Sequence, residues 1–243
     1  MLSDFNCQIL DTQKFKPLFN SAGDCIDQNE SLIKDIELLG SLGFHRLICQ
    51  VPYDPNSDVL YYTFRKIRFI EKHLKQITSR KISGRFQVSA FPVTYLNKDT
   101  PYLRDLNKIL VPNTNYLFLE LPWGHFPDSL AVSINKLLYE KKLLPIFSNF
   151  HIYLAIYNSQ AISKLINIRY AGFQFPLNAE VLSKHLLIIK HILGNGGVIL
   201  LGTSCDHFNL NEYEIRKSLD LLQKRLSKNE YSAFILRARA LLK

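Results

Sequence analysis

The sequence predicts an α/β fold in which seven parallel strands form a barrel with helices outside. Short runs with strand character alternate along the chain with segments of helical periodicity. The segments between the strand runs are long enough for the crossover helices that parallel strands require. No linker, low-complexity tract or internal repeat interrupts this pattern. We therefore expect a single domain over residues 1–243, and the strand count suits a (β/α)7 barrel.

Seven segments carry the strand pattern. They are Asp4 to Leu10, Arg46 to Val51, Arg85 to Phe91, Asn115 to Leu121, Leu144 to Ser148, Tyr170 to Phe175 and Val198 to Gly202. In the first segment, the alternation of a β-strand places Asn6 and Gln8 on one face and Cys7 on the other.

The helices between the strands show start and stop signals. Asp27 and Glu30 form a capping-box pattern ahead of an apolar stripe that stops at Gly40 to Gly43. Pro127 and Asp128 open another helix. Further helical patterns run over Ala179 to Leu193, closed by Gly194, over Glu212 to Leu226 after Asn211, and over Glu230 to Leu242.

The composition is that of a globular protein. Hydrophobic residues make up 47% and charged residues 21% of the 243 residues, which excludes wholesale disorder and fibrous repeats. No apolar run reaches the ~18 residues of a membrane span. Met1 to Asp11 lacks the basic and apolar regions of a signal peptide, so we expect a soluble, cytoplasmic protein. The four cysteines have no metal-binding spacing, and we expect reduced thiols.

Positive charge is concentrated in one segment. The net charge is +9, and Arg65 to Arg85 holds eight Lys or Arg residues against Glu71 alone. Because the opposite face of this predicted helix is apolar, a solvated outer face is the first interpretation. An anion-binding patch is the alternative, formed by Arg65, Lys66, Arg68, Lys72 and Lys75. We expect no exposed aromatic residues between these cations, which makes nucleic acid an unlikely partner.

An ordered series of motifs runs along the chain. It comprises Asp4 to Leu10 (Asp-Phe-Asn-Cys-Gln-Ile-Leu), Leu42 to Phe44 followed by Val51 to Tyr53 (Val-Pro-Tyr), Tyr116 to Pro122 (Tyr-Leu-Phe-Leu-Glu-Leu-Pro), Pro145 to Ile152 and Gly202 to Asp206. In order and spacing these motifs resemble the polymerase-and-histidinol-phosphatase (PHP) family. The resemblance is to its bacterial manganese-dependent protein-tyrosine phosphatases of capsule and exopolysaccharide operons. It covers nearly the whole chain and implies a TIM-like barrel of the PHP type.

The resemblance also implies that most metal ligands are missing. Glu120 retains the family residue, whereas the positions of the ligand histidines, of other carboxylates and of an anion-binding arginine are changed. The changed positions are Asn6, Gln8, Tyr53, Phe91, Asn149, Ile152, Ser204 and Asp206. We call these eight residues and Glu120 the degenerate-site pocket. Whether Asp24 or Asp27 replaces the family's loop aspartate stays open.

These changes bear on catalysis. A cluster of Mn, Fe or Zn ions needs imidazoles and bridging carboxylates, and amides are poor substitutes. Ile152, at the arginine position, cannot neutralise a transferring phosphoryl group. The resemblance therefore implies that the family mechanism fails and that no metal cofactor is bound.

Other interpretations of the same residues remain. The pocket is either a hydrogen-bonded polar plug or a site for a small polar ligand or an anion. Residues that end or follow strands could instead form a rewired metal site, and these are Glu120, His125, His151, Asp206 and His207. Trp123 and Phe126 form either an aromatic lip over the barrel mouth or part of the core.

The leading functional hypothesis is a catalytically inactive PHP-type tyrosine-phosphatase homologue with a binding or regulatory role. The resemblance suggests a role in capsular or exopolysaccharide biosynthesis, with a bacterial tyrosine kinase or a capsule-export protein as partner. One alternative is an active metal-dependent phosphoesterase with a rearranged metal site. The other is an anion-binding module that uses residues 65–85.

Overall fold

One parallel sheet organises the structure, and its strands follow one another in sequence order. The computed structural model describes residues 6–11, 29–44, 46–56, 60–81, 87–202 and 211–241. Within these ranges the strands are β1 (Asn6–Asp11), β2 (Arg46–Tyr53), β3 (Gln87–Tyr95), β4 (Tyr116–Glu120), β5 (Leu144–Phe147), β6 (Gly172–Pro176) and β7 (Val198–Gly202). Each neighbouring pair is parallel, and β1 also lies against β7. The sheet therefore curls into a barrel, which confirms the predicted α/β barrel fold.

Helices follow the strands along the chain. They are α1 (Asn29–Ser41), α2 (Leu60–Lys81), α3 (Asp128–Asn135), α4 (Phe150–Ile156), α5 (Ser159–Ile166), α6 (Ala179–Lys184), α7 (Leu186–Gly194), α8 (Glu212–Arg225) and α9 (Lys228–Ala240). Side chains cap several of them: Asn211 accepts two backbone N–H groups at the start of α8, and Ser227 with Glu230 forms a capping box at α9. None of the described helices is both long and apolar enough to cross a bilayer.

Two element boundaries differ from the sequence prediction for identifiable reasons. β3 continues past Phe91 to Tyr95, although Pro92 lacks an N–H group. The missing donor is tolerated because β3 pairs with β4 only from Thr94 onwards. The helix predicted over Ala179 to Leu193 is divided into α6 and α7 at His185, where φ is −106° and ψ is 15°. The predicted helix start at Asp27 lies outside the described residues.

The strands separate two apolar layers. Alternate residues face the helices, and the outer layer built on them includes Cys49, Ala90, Leu119, Phe147, Phe173 and Ile199. The residues between them face the barrel interior, and this inner layer includes Ile48, Phe91, Phe118, Ile146, Val198 and Leu200. The alternation of side chains along a strand therefore identifies which polar residues point into the barrel.

The end of α9 closes the barrel at the amino ends of the strands. Ala238 and Leu241 are 3% exposed and pack in the inner layer. Arg237 Nη1 donates to the carbonyl oxygens of Leu193 at 2.7 Å and Gly197 at 3.1 Å, just before β7. Among the described residues the interior is therefore filled by side chains at this end, which leaves the carboxyl ends of the strands as the place for a ligand to approach.

The ladders between strands differ greatly in length. β2 and β3 share eight register positions, from Arg46 opposite Gln87 to Tyr53 opposite Thr94. β3 and β4 share two, and so do β5 and β6. β4 and β5 share four. The barrel wall thus has two short seams, one on each side of the β4–β5 pair.

Candidate functional site at the barrel mouth

A row of polar side chains lies on the inner face of four adjacent strands at their carboxyl ends. Tyr95 is opposite Glu120 in the β3–β4 register. Continuing the β4–β5 and β5–β6 registers by one residue places Ser148 between Glu120 and Gln174. We call these four residues the mouth row. It contains one carboxylate and no cationic side chain.

A hydrogen bond joins opposite walls of the barrel at this level. Gln50 Nε2 on β2 donates to Gln174 Oε1 on β6 at 2.9 Å, and both residues are buried. β2 and β6 are not neighbours in the sheet, so this bond crosses the interior. The backbone N–H of Asn149, which adopts the left-handed conformation with φ 49°, donates to the same Gln174 oxygen at 3.4 Å. The Gln174 carboxamide oxygen therefore accepts from both the Gln50 side chain and the Asn149 backbone.

Ser148 has a buried hydroxyl group without a hydrogen-bond partner. The residue is 1% exposed, and its backbone N–H continues the β4–β5 ladder by donating to the Leu119 oxygen at 2.9 Å. A second buried hydroxyl without a partner belongs to Thr94, which lies opposite Leu119 and faces the outer layer. An unpaired buried hydroxyl is costly, by about 1–3 kcal/mol. Only the Ser148 hydroxyl is in the mouth row.

Aromatic residues form the rim above Glu120. Trp123 is 63% exposed, and Tyr95, at the end of β3, is 44% exposed. Phe126 is half-buried and packs edge-on against Tyr157 at 5.4 Å between ring centroids. Of the two residues for which a lip or a core position was open, Trp123 thus forms the lip and Phe126 is mostly covered.

Three tyrosines around Glu120 remain protonated. Burial raises the pKa of Tyr95, Tyr153 and Tyr157, and the Glu120 carboxylate raises the first two further. The hydroxyl of Tyr153 donates to the Leu121 oxygen at 2.7 Å, and that of Tyr157 donates to the Pro122 oxygen at 2.6 Å. These bonds fix the backbone that carries Trp123.

The degenerate-site pocket is only partly assembled by the described residues. Glu120 and Asn149 lie at the mouth, and Ile152 is half-buried on α4. Tyr53 packs in the outer layer, while Phe91 packs in the inner layer against Phe118 at 6.1 Å. Asn6 and Gln8 are placed by their backbone alone, opposite Arg46 and Ile48. Ser204 and Asp206 lie outside the described residues.

The residues predicted for a rewired metal site show no such assembly where they are described. His125 is exposed in the loop after β4, and His151 is half-buried on α4. Asp206 and His207 lie outside the described residues. In the ranges that the structure covers, no three His, Cys, Asp or Glu side chains are grouped so as to hold a metal ion. The mouth row and Gln50 offer a carboxylate, a phenol, a hydroxyl and two carboxamides, and this set without imidazoles does not fit a Mn, Fe or Zn cluster.

His151 is half-buried, and its Nδ1 atom is buried without a hydrogen-bond partner. Burial, together with a smaller effect of the nearby His185, lowers the pKa of His151 to about 4. Because the folded pKa lies below the unfolded value of 6.5, protonation favours the unfolded chain. This contribution to stability is complete above pH 6.5 and is lost as the pH falls towards 4.

We expect His151→Leu to reduce the loss of stability between pH 7 and pH 4.5. Urea unfolding at both pH values measures it, with replacement of the exposed His125 by Gln as the control. The wild type and His125→Gln should lose stability in parallel on acidification, while His151→Leu loses less. Equal losses in all three proteins would contradict burial of a neutral His151.

Comparison with solved structures identifies the barrel type. The YwqE of Bacillus subtilis and CpsB of Streptococcus pneumoniae structures, described as metal-dependent tyrosine phosphatases, match with a TM-score of 0.67 and 17% identity over 98% of this chain and 93% of theirs. The fold is of the PHP type. Histidinol phosphate phosphatase (HisK) of Lactococcus lactis matches this PHP-type barrel with a TM-score of 0.50 and 9% identity over 79% of this chain and 86% of that one. A scan of protein-family models finds no match, and neither does a comparison with curated sequences.

Sequence reasoning missed four residues of the PHP-type mouth: Gln50, Tyr95, Ser148 and Gln174. The available signal was a polar residue at an inward position of an otherwise apolar strand, as in Leu-Ile-Cys-Gln-Val and Phe-Gln-Phe. Ser148 and Tyr95 gave a weaker signal, because both stand at strand ends where polar residues are common.

Proposed function

We propose that this PHP-type barrel is a catalytically inactive tyrosine-phosphatase homologue whose mouth serves binding or regulation. The observation that carries the proposal is the hydrogen bond from Gln50 to Gln174 across the barrel interior. It places neutral carboxamides, already bonded to each other, at the level where the resemblance puts a metal cluster. Neutral amides do not offset the charge of clustered divalent ions.

The charge at the mouth supports the same proposal. Glu120 is the charged member of the mouth row, and Ile152 stands where the resemblance puts an arginine. Phosphoryl transfer depends on cations or metal ions that stabilise the equatorial oxygens. A phosphate ester in the mouth row would instead meet a carboxylate.

The cellular role is proposed on the resemblance. We propose a place in capsular or exopolysaccharide biosynthesis, with a bacterial tyrosine kinase or a capsule-export protein as the partner. We also propose the cytoplasm as the compartment.

Metal analysis of protein purified without added ions tests the proposed function. We expect Mn, Fe and Zn far below one ion per chain. Stoichiometric metal that is lost in Glu120→Gln would instead support an active enzyme with a rearranged site. Retention of that metal in Glu120→Gln would place it elsewhere, and the mouth would remain without one.

A second candidate function rests on the exposed face of α2. Arg65, Lys66, Arg68, Lys72 and Lys75 are all exposed there. The expectation that no exposed aromatic residue lies among these cations is wrong, because Phe69 is 45% exposed; Tyr61 and Tyr62, which precede the cations on α2, are 63% and 58% exposed. Tyr62 and Phe69 are seven residues apart and share a stripe of the helix with Lys66 between them.

Glu71, the acidic residue of α2, does not neutralise the positive charges on the exposed face of the helix. Glu71 is half-buried, and its Oε1 accepts the backbone N–H of Ala90 at 3.0 Å. The exposed cations therefore stand beside aromatic rings with no acid between them on the helix. We propose, as the second candidate, that this face binds an acidic or phosphorylated protein segment.

Removing positive charges from the exposed face of α2 tests this second candidate function. We expect replacement of Lys66, Arg68, Lys72 and Lys75 by Gln to weaken binding of a phosphorylated glutamate–tyrosine copolymer about tenfold at low salt. Binding by the wild type should weaken as salt rises, which titration at several ionic strengths measures. The control replaces four exposed lysines elsewhere, Lys98, Lys141, Lys164 and Lys224. Equal weakening of copolymer binding in both variants would show that this face of α2 is a solvated surface that contributes only through the net charge of the protein.

A further inference from the structure

We propose that the exposed face of α2 binds a protein segment that carries aromatic as well as acidic side chains. This inference rests on the second candidate function, since it names the chemistry of the partner that this face would bind. Two features of the face carry it. Exposed aromatic rings lie at helical spacing among the cations, and the cations beside them form no ion pair with any described residue.

The cations of this face can pair with a partner without giving up an internal contact. Four of them are exposed and form no ion pair within the part of the chain that the structure describes, and these are Arg65, Lys66, Arg68 and Lys72. Glu71, on the same helix, accepts the backbone N–H of Ala90 instead. Charge complementarity therefore selects an acidic segment for this face.

Aromatic rings alternate with these cations along the helix. Tyr62 and Phe69 are 58% and 45% exposed and lie seven residues apart, which is about 10.5 Å along the helix axis. Arg65 follows Tyr62 by three residues and precedes Phe69 by four, so it lies between the two rings. The ring of Tyr61 meets that of Tyr62 edge-on at 5.7 Å between centroids and extends the aromatic surface. The face therefore offers apolar contact and positive charge side by side.

This arrangement favours aromatic side chains in the partner. A ring of the partner can pack edge-on or offset against Tyr62 or Phe69, and such aromatic pairs contribute more than the area they bury. The same ring can also receive the neighbouring Arg65 guanidinium over its face. A segment with acidic side chains alone would leave the rings of α2 in water. A segment with both kinds of side chain therefore gains contacts that a purely acidic segment lacks.

The spacing of the rings favours a polypeptide over a nucleic acid. Successive bases of one strand are about 3.4 Å apart, and proteins that bind single strands stack successive bases on their aromatic residues. Two rings about 10.5 Å apart on the exposed side of a helix do not form such a continuous platform. An acidic polypeptide can place its rings at this separation, for example in a helix with aromatic residues two turns apart.

Binding of two glutamate copolymers tests this inference. Labelled random copolymers of glutamate with tyrosine and of glutamate with alanine, matched in length and glutamate fraction, are titrated with the protein at low salt. Fluorescence anisotropy measures their binding. We expect the glutamate–tyrosine copolymer to bind about fivefold more tightly, as for one aromatic or cation–π contact at an exposed site. A single-stranded thymidine oligonucleotide, titrated in parallel, should bind more weakly than the glutamate–tyrosine copolymer.

Two matched double variants assign the preference to α2. Tyr62→Ala with Phe69→Ala should abolish the preference for the tyrosine copolymer but retain salt-sensitive binding of both copolymers, because the cations remain. Tyr139→Ala with Tyr213→Ala removes two rings outside α2 that are 79% and 67% exposed, and should leave the preference unchanged. Circular dichroism checks the folding of both variants. Tyr62→Ala alone should reduce the preference, and it replaces the double variant if the loss of Phe69 disturbs the helix.

The outcomes separate this inference from the second candidate function. Equal binding of the two copolymers, or a preference that persists without the rings of Tyr62 and Phe69, overturns the aromatic partner but leaves an acidic partner standing. Tighter binding of the oligonucleotide than of the glutamate–tyrosine copolymer overturns the protein partner. No binding of either copolymer at low salt overturns the second candidate function together with this inference.

Discussion

A phosphotyrosine peptide incubated with this protein and excess Mn²⁺ is expected to lose phosphate no faster than in buffer. Metal-dependent phosphatases depend on a bound ion that lowers the pKa of water to about 7 and so supplies hydroxide at neutral pH. The described mouth offers one carboxylate, Glu120, and no imidazole in its row. Loss of both the activated water and the charge stabilisation removes the whole rate advantage, which is at least a millionfold for typical enzymes.

Phosphate release measured with and without Mn²⁺, and in Glu120→Gln, provides the decisive comparison. The three rates should agree with the buffer blank. Turnover that needs Mn²⁺ and disappears in Glu120→Gln would refute the inactive homologue and establish the rearranged metal site. Turnover that persists in Glu120→Gln would indicate a contaminating phosphatase or a site away from the mouth.

Replacing Phe150 by alanine is expected to destabilise the barrel by about 3–5 kcal/mol, the usual cost of deleting a buried phenyl ring. Phe150 opens α4 and is fully buried. Its ring meets that of Phe173 edge-on at 4.8 Å and lies 6.1 Å from Phe147 and 6.0 Å from Phe175. One side chain thus joins α4 to both β5 and β6, and its loss leaves a cavity between them.

Urea unfolding at neutral pH measures the change in the free energy of unfolding. The control is Leu187→Ala on α7, where the leucine is 82% exposed and its removal should cost little. A loss below about 1.5 kcal/mol for Phe150→Ala would contradict the cluster, because only a site that collapses without a cavity would tolerate that truncation.

The fold was predictable from the sequence where burial and periodicity agree. Val198 to Gly202 is buried on both faces and flanked by glycine, and its observed bounds equal the predicted ones. The extension of β3 was not predictable locally, since Pro92 argues against a strand interior. The break at His185 was also invisible, because the apolar pattern continues through it from α6 into α7.

The site was less predictable, because its key contacts join distant parts of the chain. Gln50 and Gln174 are 124 residues apart, and neither residue suggests a partner by itself. The family resemblance placed Tyr53 and Phe91 in the same pocket, but these residues pack in two different apolar layers. Local spacing also could not show that Trp123 projects outward, since its exposure depends on the bonds that Tyr153 and Tyr157 make to the backbone around Pro122.

The short seams on either side of β4 and β5 have a mechanical consequence. With two register positions at each seam against eight between β2 and β3, opening fluctuations within the hydrogen-bonded sheet from β1 to β7 should separate it along the seams first. The β4–β5 pair would then move as one flap that carries Glu120 and Ser148 together. Gln50 and Gln174 lie on β2 and β6, outside this flap, and the hydrogen bond between them holds those two strands together across the barrel interior. The mouth could therefore widen around a ligand while Glu120 and Ser148 keep their spacing.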